Sequence, residues 1–152
     1  VTSAGVADAN KIPALDATGR LDISLMPTGV TQEVTVCASF ENLTAGDFVN
    51  LFLSGGVIQA RKADATTNGK PAHGFVLANV VSPANATVFR ESSDNTALAG
   101  LTIGSDYYLS TTAGGVTVTP PPAAGNIVQA LGTADSASSM VFTNEKFYIE
   151  VA

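Results

Sequence analysis

Tryptophan is absent from the chain, and cysteine and histidine occur once each, as Cys37 and His73. A lone cysteine excludes an internal disulfide and argues against a small secreted scaffold stapled by such bonds. A lone histidine narrows nucleophilic catalysis, because any Ser-His-Asp or Cys-His arrangement would need His73 as its base. Charge is scarce as well: 13% of residues are charged, with seven Lys and Arg against thirteen Asp and Glu, for a net charge of −6. The cations are spread thinly from Lys11 to Lys146 and form no basic stripe. Direct nucleic-acid binding is therefore not expected, since phosphate neutralisation supplies most of that affinity. No apolar run approaches the roughly 18 residues that cross a bilayer, so no membrane partner is expected. The first residues lack the basic-then-apolar order of a signal peptide, and the chain reads as made in a cytoplasm.

What is present is apolar and small. Of the 152 residues, 45% are hydrophobic, enough for a core, and Ala, Thr, Ser, Gly and Val dominate. A free monomer ordinarily keeps a well-charged surface to remain soluble, so the low charge suggests a surface that meets another protein.

Residues 1–31 follow neither a helical nor a strand period, and in "DATGRLDISLMPTGV" Gly, Pro, Asp and Thr interrupt every regular element. The expectation is an extended N-terminal arm whose apolar residues (Ile12, Leu15, Leu21, Ile23, Leu25, Met26 and Val30) form a subunit or capsid interface. Burying all seven would contribute roughly 10–20 kcal/mol at about 1.5–3 kcal/mol each. Ordering some 30 residues of backbone costs on the order of 30–60 kcal/mol. Side-chain burial alone cannot order the arm, which must also gain backbone hydrogen bonds, as by adding to a neighbour's sheet.

From residue 32 the pattern changes to short strands. "EVTVCASF" alternates, predicting Val34, Val36, Ala38 and Phe40 on the core face and Thr35, Cys37 and Ser39 on the other. Phe48 to Leu53 reads as a central strand, returned by Ser54-Gly55-Gly56 into Val57 to Lys62. Residues 63–72 read as a polar loop with an Asn68-Gly69 turn, and residues 73–81 and 86–90 as the next strands. A single helical turn is expected near Asp94 to Leu98. Gly114-Gly115 centres the clearest hairpin, which Pro120-Pro121-Pro122 ends at a sheet edge. "NIVQALG", "SMVFT" and "KFYIEVA" follow, the last with Phe147, Ile149 and Val151 expected inward. Eight to ten such strands predict an all-β fold: an antiparallel β-sandwich, jelly roll or barrel-like domain over residues 32–152, with the arm preceding it.

Three stretches together carry a resemblance: "SAGVADANKIPALDATGRLDISLMPTGV", "GVIQARKADATTNGKPAHGFV" and "LTIGSDYYLSTTAGGVTVTPPPAAGNIVQALGTADSASSMVF". They resemble segments of tailed-bacteriophage capsid decoration (cement, or head auxiliary) proteins, the first and third also segments of other phage structural proteins, including head or tail fibres. The resemblance implies a structural virion protein, made in the bacterial cytoplasm, that binds the major capsid protein on the outer capsid surface and stabilises the shell. It also implies a homo-oligomer, a trimer more than a dimer, because quasi-threefold positions are common decoration sites in that family. No catalytic residue and no cofactor carry over.

The residues themselves point the same way. No G-x-S-x-G elbow is present, Cys37 lies in mid-strand without an activating neighbour, and both it and His73 read as structural. Asp8, Asp16 and Asp22 fit no EF-hand spacing, so no metal ligand is assigned. Gly104, Gly114, Gly115 and Gly125 are turn glycines without the strand-to-helix setting of a phosphate loop. The aromatics are expected to fill the core, with Tyr108 or Tyr148 as the candidates for stacking on a sugar. Two alternatives stand beside decoration: a head or tail fibre component binding a host glycan, and a glycan depolymerase. The latter would need a carboxylate pair that no motif supplies.

Overall fold

A computed structural model describes residues 33–143 and 148–152, all within the compact unit Glu33–Ala152. The seven arm residues from Ile12 to Val30, and Phe147, lie outside the described residues.

The fold is all-β. Strands β1 (Val34–Ser39), β2 (Phe48–Ser54), β3 (Val57–Lys62), β4 (Gly74–Phe75) and β5 (Asn85–Phe89) close a barrel in the order β1-β3-β2-β4-β5. The remaining strands form smaller sheets: β6 (Ser93–Asn95) with β11 (Met140–Phe142), β7 (Asp106–Leu109) between β8 (Val116–Thr117) and β10 (Ala130–Thr133), and β9 (Ile127–Val128) with β12 (Ile149–Glu150). The β2–β3 hairpin is the longest ladder, six pairs from Val49↔Lys62 to Ser54↔Val57. Its turn residues Gly55 and Gly56 have φ of 59° and 83°, the two positive values that a tight hairpin turn requires.

One pairing departs from the antiparallel expectation. The chain runs β1, β2, β3, yet β3 inserts between the other two and lies parallel to β1 through Ala38↔Gln59 and Ser39↔Ala60. β1 runs antiparallel to β5 over five pairs, Val34↔Phe89 to Ala38↔Asn85.

Two apolar clusters result. Inside the barrel sit Cys37, Val49, Ala60, Val76, Ala86 and Val88, with Leu43 from the β1–β2 connection. The other cluster lies on the outer side of β2 and β4. Phe48 and Phe75 are cross-strand partners, and Phe75 is in turn opposite Phe89, so three phenylalanines form a row across the wall. Phe142 packs on Phe48 and Phe75 with ring centroids 5.4 and 6.2 Å away. Tyr107, Leu109, Ile127, Leu131 and Met140 complete this core, bringing the inward faces of β7, β9, β10 and β11 against the barrel. Each of these large side chains contributes about 1.5–3 kcal/mol on burial.

Four expectations are corrected. The face of β1 is reversed: Cys37 and Ser39 are buried, whereas Val34, Val36 and Phe40 are exposed, Val36 at 61% and Phe40 at 56%. On the inner face Cys37 stands opposite Ala86 and Ser39 opposite Ala60. The turn at Asp94 to Leu98 is not helical; Ser93–Asn95 is a strand paired with β11, and buried Asn95 donates through Nδ2 to the Gly46 carbonyl at 3.0 Å. The strand over residues 73–81 shrinks to Gly74–Phe75, because Val76 turns its backbone to Asp47 and Gly46 and Val80 bridges Leu43. In β12, Ile149 is 71% exposed rather than inward.

Candidate interaction surface

His73 and Cys37 are placed by the fold, and neither is poised for chemistry. The Leu51 amide donates to His73 Nδ1 at 3.0 Å, and the His73 amide donates to the Val49 carbonyl at 2.8 Å. The imidazole thus stands in for a backbone acceptor at the end of the β2–β4 ladder. The backbone of Ala72, one residue earlier, is occupied elsewhere: its amide donates to Gln129 Oε1 at 2.8 Å, and its carbonyl accepts from Gln129 Nε2 at 2.9 Å. Burial, and then the Arg90 charge, hold the His73 pKa below its ordinary value. Cys37 lies in the barrel core, where burial pushes the thiol pKa up, away from the nucleophilic thiolate.

Several carboxylates are engaged in structural contacts. Asp47 pairs with Lys62 at 3.0 Å and accepts the Thr44 amide at 2.7 Å; Asp106 accepts the Thr133 hydroxyl at 2.6 Å; Glu150 accepts Asn68 Nδ2 at 2.8 Å. Among the described residues, no three His, Cys, Asp or Glu side chains come together.

The distinctive feature is an apolar surface around one side of the barrel. Val34, Val36 and Phe40 project from β1 and its extension, and Phe52 and Val57 from the same outer face of the β2–β3 hairpin. Phe40 meets Phe52 edge to face with centroids 5.2 Å apart, and the Arg61 guanidinium lies 4.2 Å from the Phe52 ring centre. Arg61 is held there by its bond to Asn50 Oδ1 at 3.0 Å and by donation to the Gly69 carbonyl at 2.7 Å. Leu53 and Ile58 face each other across the hairpin on the side that Leu51 and Ala60 turn into the barrel, yet are 71% and 54% exposed. The hairpin therefore carries its inner apolar face out into solvent.

In the other direction the surface continues over β5. Val34 lies beside Phe89 and Val36 beside Thr87. Both Phe89 and Thr87, with Asn85, floor a groove of about 440 Å³ walled by residues 76–81. None of the residues lining that groove carries a titratable side chain. Its shape and hydrogen-bonding groups suit an extended chain, and the described residues that line it include no carboxylate, imidazole, amine or thiol. β1 is also unladdered on one side: only Ala38 and Ser39 pair with β3, so among the described residues the edge from Val34 to Cys37 is open on that side. An open edge beside apolar side chains is a template for strand addition.

The sugar-stacking candidates lie elsewhere. Tyr108 is half-buried beside a 210 Å³ cleft with Asp106 and Thr133, and Tyr148 lies against the loop carrying Asn68, donating to its carbonyl at 3.3 Å. The structure does not bring them together as a platform in one site. Reading the sequence missed the β1 surface because it assigned those same residues to the core. Comparison with family models, with curated proteins and with solved structures finds no match to the chain.

Proposed function

We propose that the chain is a structural virion protein that binds the outer surface of a phage capsid, bridging major capsid protein subunits, and that it self-associates there. The reading is carried by the apolar surface that runs from Phe89 and the neighbouring groove across Val34, Val36 and Phe40 to the β2–β3 hairpin. Apolar surface in a continuous stretch of this kind marks association sites on soluble proteins. The sequence resemblance supplies the partner: the quoted stretches resemble decoration proteins, whose work is adhesion repeated over a shell. The 13% charge content fits a protein whose exterior is largely covered in use. Many weak contacts repeated over a capsid then resist the outward pressure of packaged DNA through avidity, with no reaction involved.

The test adds the full chain, and a chain lacking residues 1–31, to capsids stripped of decoration. The full chain is expected to remain on washed particles at many copies each, and the shortened chain to stay folded but wash off. Failure of the full chain to bind overturns the reading. Full occupancy by the shortened chain overturns the role of the arm, and a handful of copies per particle favours the fibre alternative.

A further inference from the structure

Asn68 is the one asparagine in the chain followed by glycine. It is exposed at the tip of the loop between β3 and β4. Nothing in the fold demands the glycine: a Cβ at Gly69 would meet only Thr67 Oγ1, at an ordinary 3.8 Å, and Gly69 is not among the positive-φ residues. A glycine that is dispensable for conformation still has a chemical consequence, because the missing side chain lets its backbone nitrogen approach the preceding amide once its long 3.3 Å bond to the exchangeable acceptor Thr67 Oγ1 is released to solvent.

We propose that Asn68-Gly69 is a site of spontaneous deamidation, and that its conversion loosens the C-terminal strand β12. The Gly69 nitrogen, having given up its proton to solvent base, attacks Asn68 Cγ. The bond from Cγ to the side-chain nitrogen breaks, and that nitrogen leaves as ammonia after taking a proton from solvent. Water then opens the cyclic imide at either carbonyl, giving an aspartate or an isoaspartate at position 68. The net change is amide plus water to carboxylate plus ammonium, with nothing oxidised or reduced.

The loop tip is tied to the strand that would feel the change. Asn68 Nδ2 donates to Glu150 Oε2 at 2.8 Å, and the Tyr148 hydroxyl donates to the Asn68 carbonyl at 3.3 Å. Among the described residues, β12 has little else. It makes two pairs with β9, Ile149↔Val128 and Glu150↔Ile127, flanked by Gly125 N to Val151 O and Val151 N to Asn126 O, both 2.8 Å. Its side chains are exposed, so few apolar contacts from the described residues reinforce it. Deamidation replaces the donor to Glu150 with a second carboxylate at hydrogen-bonding distance, and the pair must separate or take up a proton. The isoaspartyl form also lengthens the backbone by one carbon, shifting the carbonyls that Tyr148 and Arg61 contact.

The experiment ages the full chain in mildly alkaline buffer at body temperature, localises amide-to-acid conversion by peptide mass spectrometry, and follows amide exchange at Val151 and Gly125. Position 68 is expected to convert fastest of all the asparagines, and Gly69→Ala to suppress it while leaving the unfolding midpoint in place. N68D is expected to speed exchange at Val151 about two- to fivefold, the size of an exposed charge contact, and a further E150Q change to restore protection. Conversion at Asn68 no faster than at the other asparagines overturns the site. Unchanged Val151 exchange in N68D overturns the link to β12.

Discussion

Gly74 and His73 are neighbours in sequence and show how single residues set the barrel. Gly74 lies opposite Val49 on the inward face, where an added Cβ would stand 2.6 Å from Val88 Cγ1 and against the Phe89 carbonyl. Backbone cannot yield as a side-chain tip can, so Gly74→Ala is expected to destabilise by about 1–3 kcal/mol, read as a lower urea midpoint. Gly69→Ala, open to solvent, is its control. His73 makes stability depend on pH. Its pKa is depressed in the folded chain from an ordinary 6.5, so on acidification the unfolded chain takes up the proton first. The contribution of neutral His73 is complete above about pH 6.5 and is lost as pH falls through the lower folded value. A protonated Nδ1 can no longer accept from Leu51. Urea melts from neutral to mildly acid pH are expected to show this slope, and His73→Ala to flatten it while lowering stability throughout.

At the level of elements, what was legible and what was not divide along local and distant causes. The β2–β3 and β7–β8 hairpins are written in Gly55-Gly56 and Gly114-Gly115, because a reversal is decided within a few residues. The period of two in β1 was equally plain, but which face goes inward depends on the radius of a barrel that closes through β5, some fifty residues later. Only closure against β5, which sets Cys37 opposite Ala86 and Val36 opposite Thr87, decides that Cys37 turns inward. The strand at Ser93–Asn95 is hidden for the same reason: its partner is Met140–Phe142 and its anchor the Gly46 carbonyl, neither visible in a local window. The insertion of β3 between β1 and β2 leaves no composition signal either. This account of β1 predicts an inversion of the usual mutational pattern. Cys37→Leu should overpack the barrel and cost about 1–3 kcal/mol. Val36→Thr, on the outer face of the same strand, should change stability by no more than about 0.5 kcal/mol.

For the molecule as a whole, the proposed attachment to a capsid raises the question of what force would hold the barrel there. The chain carries −6 net charge, so a purely electrostatic attachment would need a basic partner and would weaken steeply as salt screens it. The surface of Val34, Val36, Phe40, Val57 and Ile58 argues for the opposite: apolar burial survives screening, and Arg61 enters it by stacking on Phe52. A chain carrying both Val36→Thr and Phe40→Ser is expected to lose no more than about 1.5 kcal/mol of stability, chiefly the edge-to-face contact of Phe40 with Phe52, since both side chains are more than half exposed. It should nevertheless bind stripped capsids more weakly, by roughly 1–3 kcal/mol if both side chains are buried in the complex. Binding of the unaltered chain should change little across a broad salt range. The measurement is occupancy by sedimentation at two ionic strengths for both chains. Binding that collapses with salt, or a double variant that binds as well as the parent, would assign attachment to charges elsewhere and leave the barrel's apolar side without a role in it.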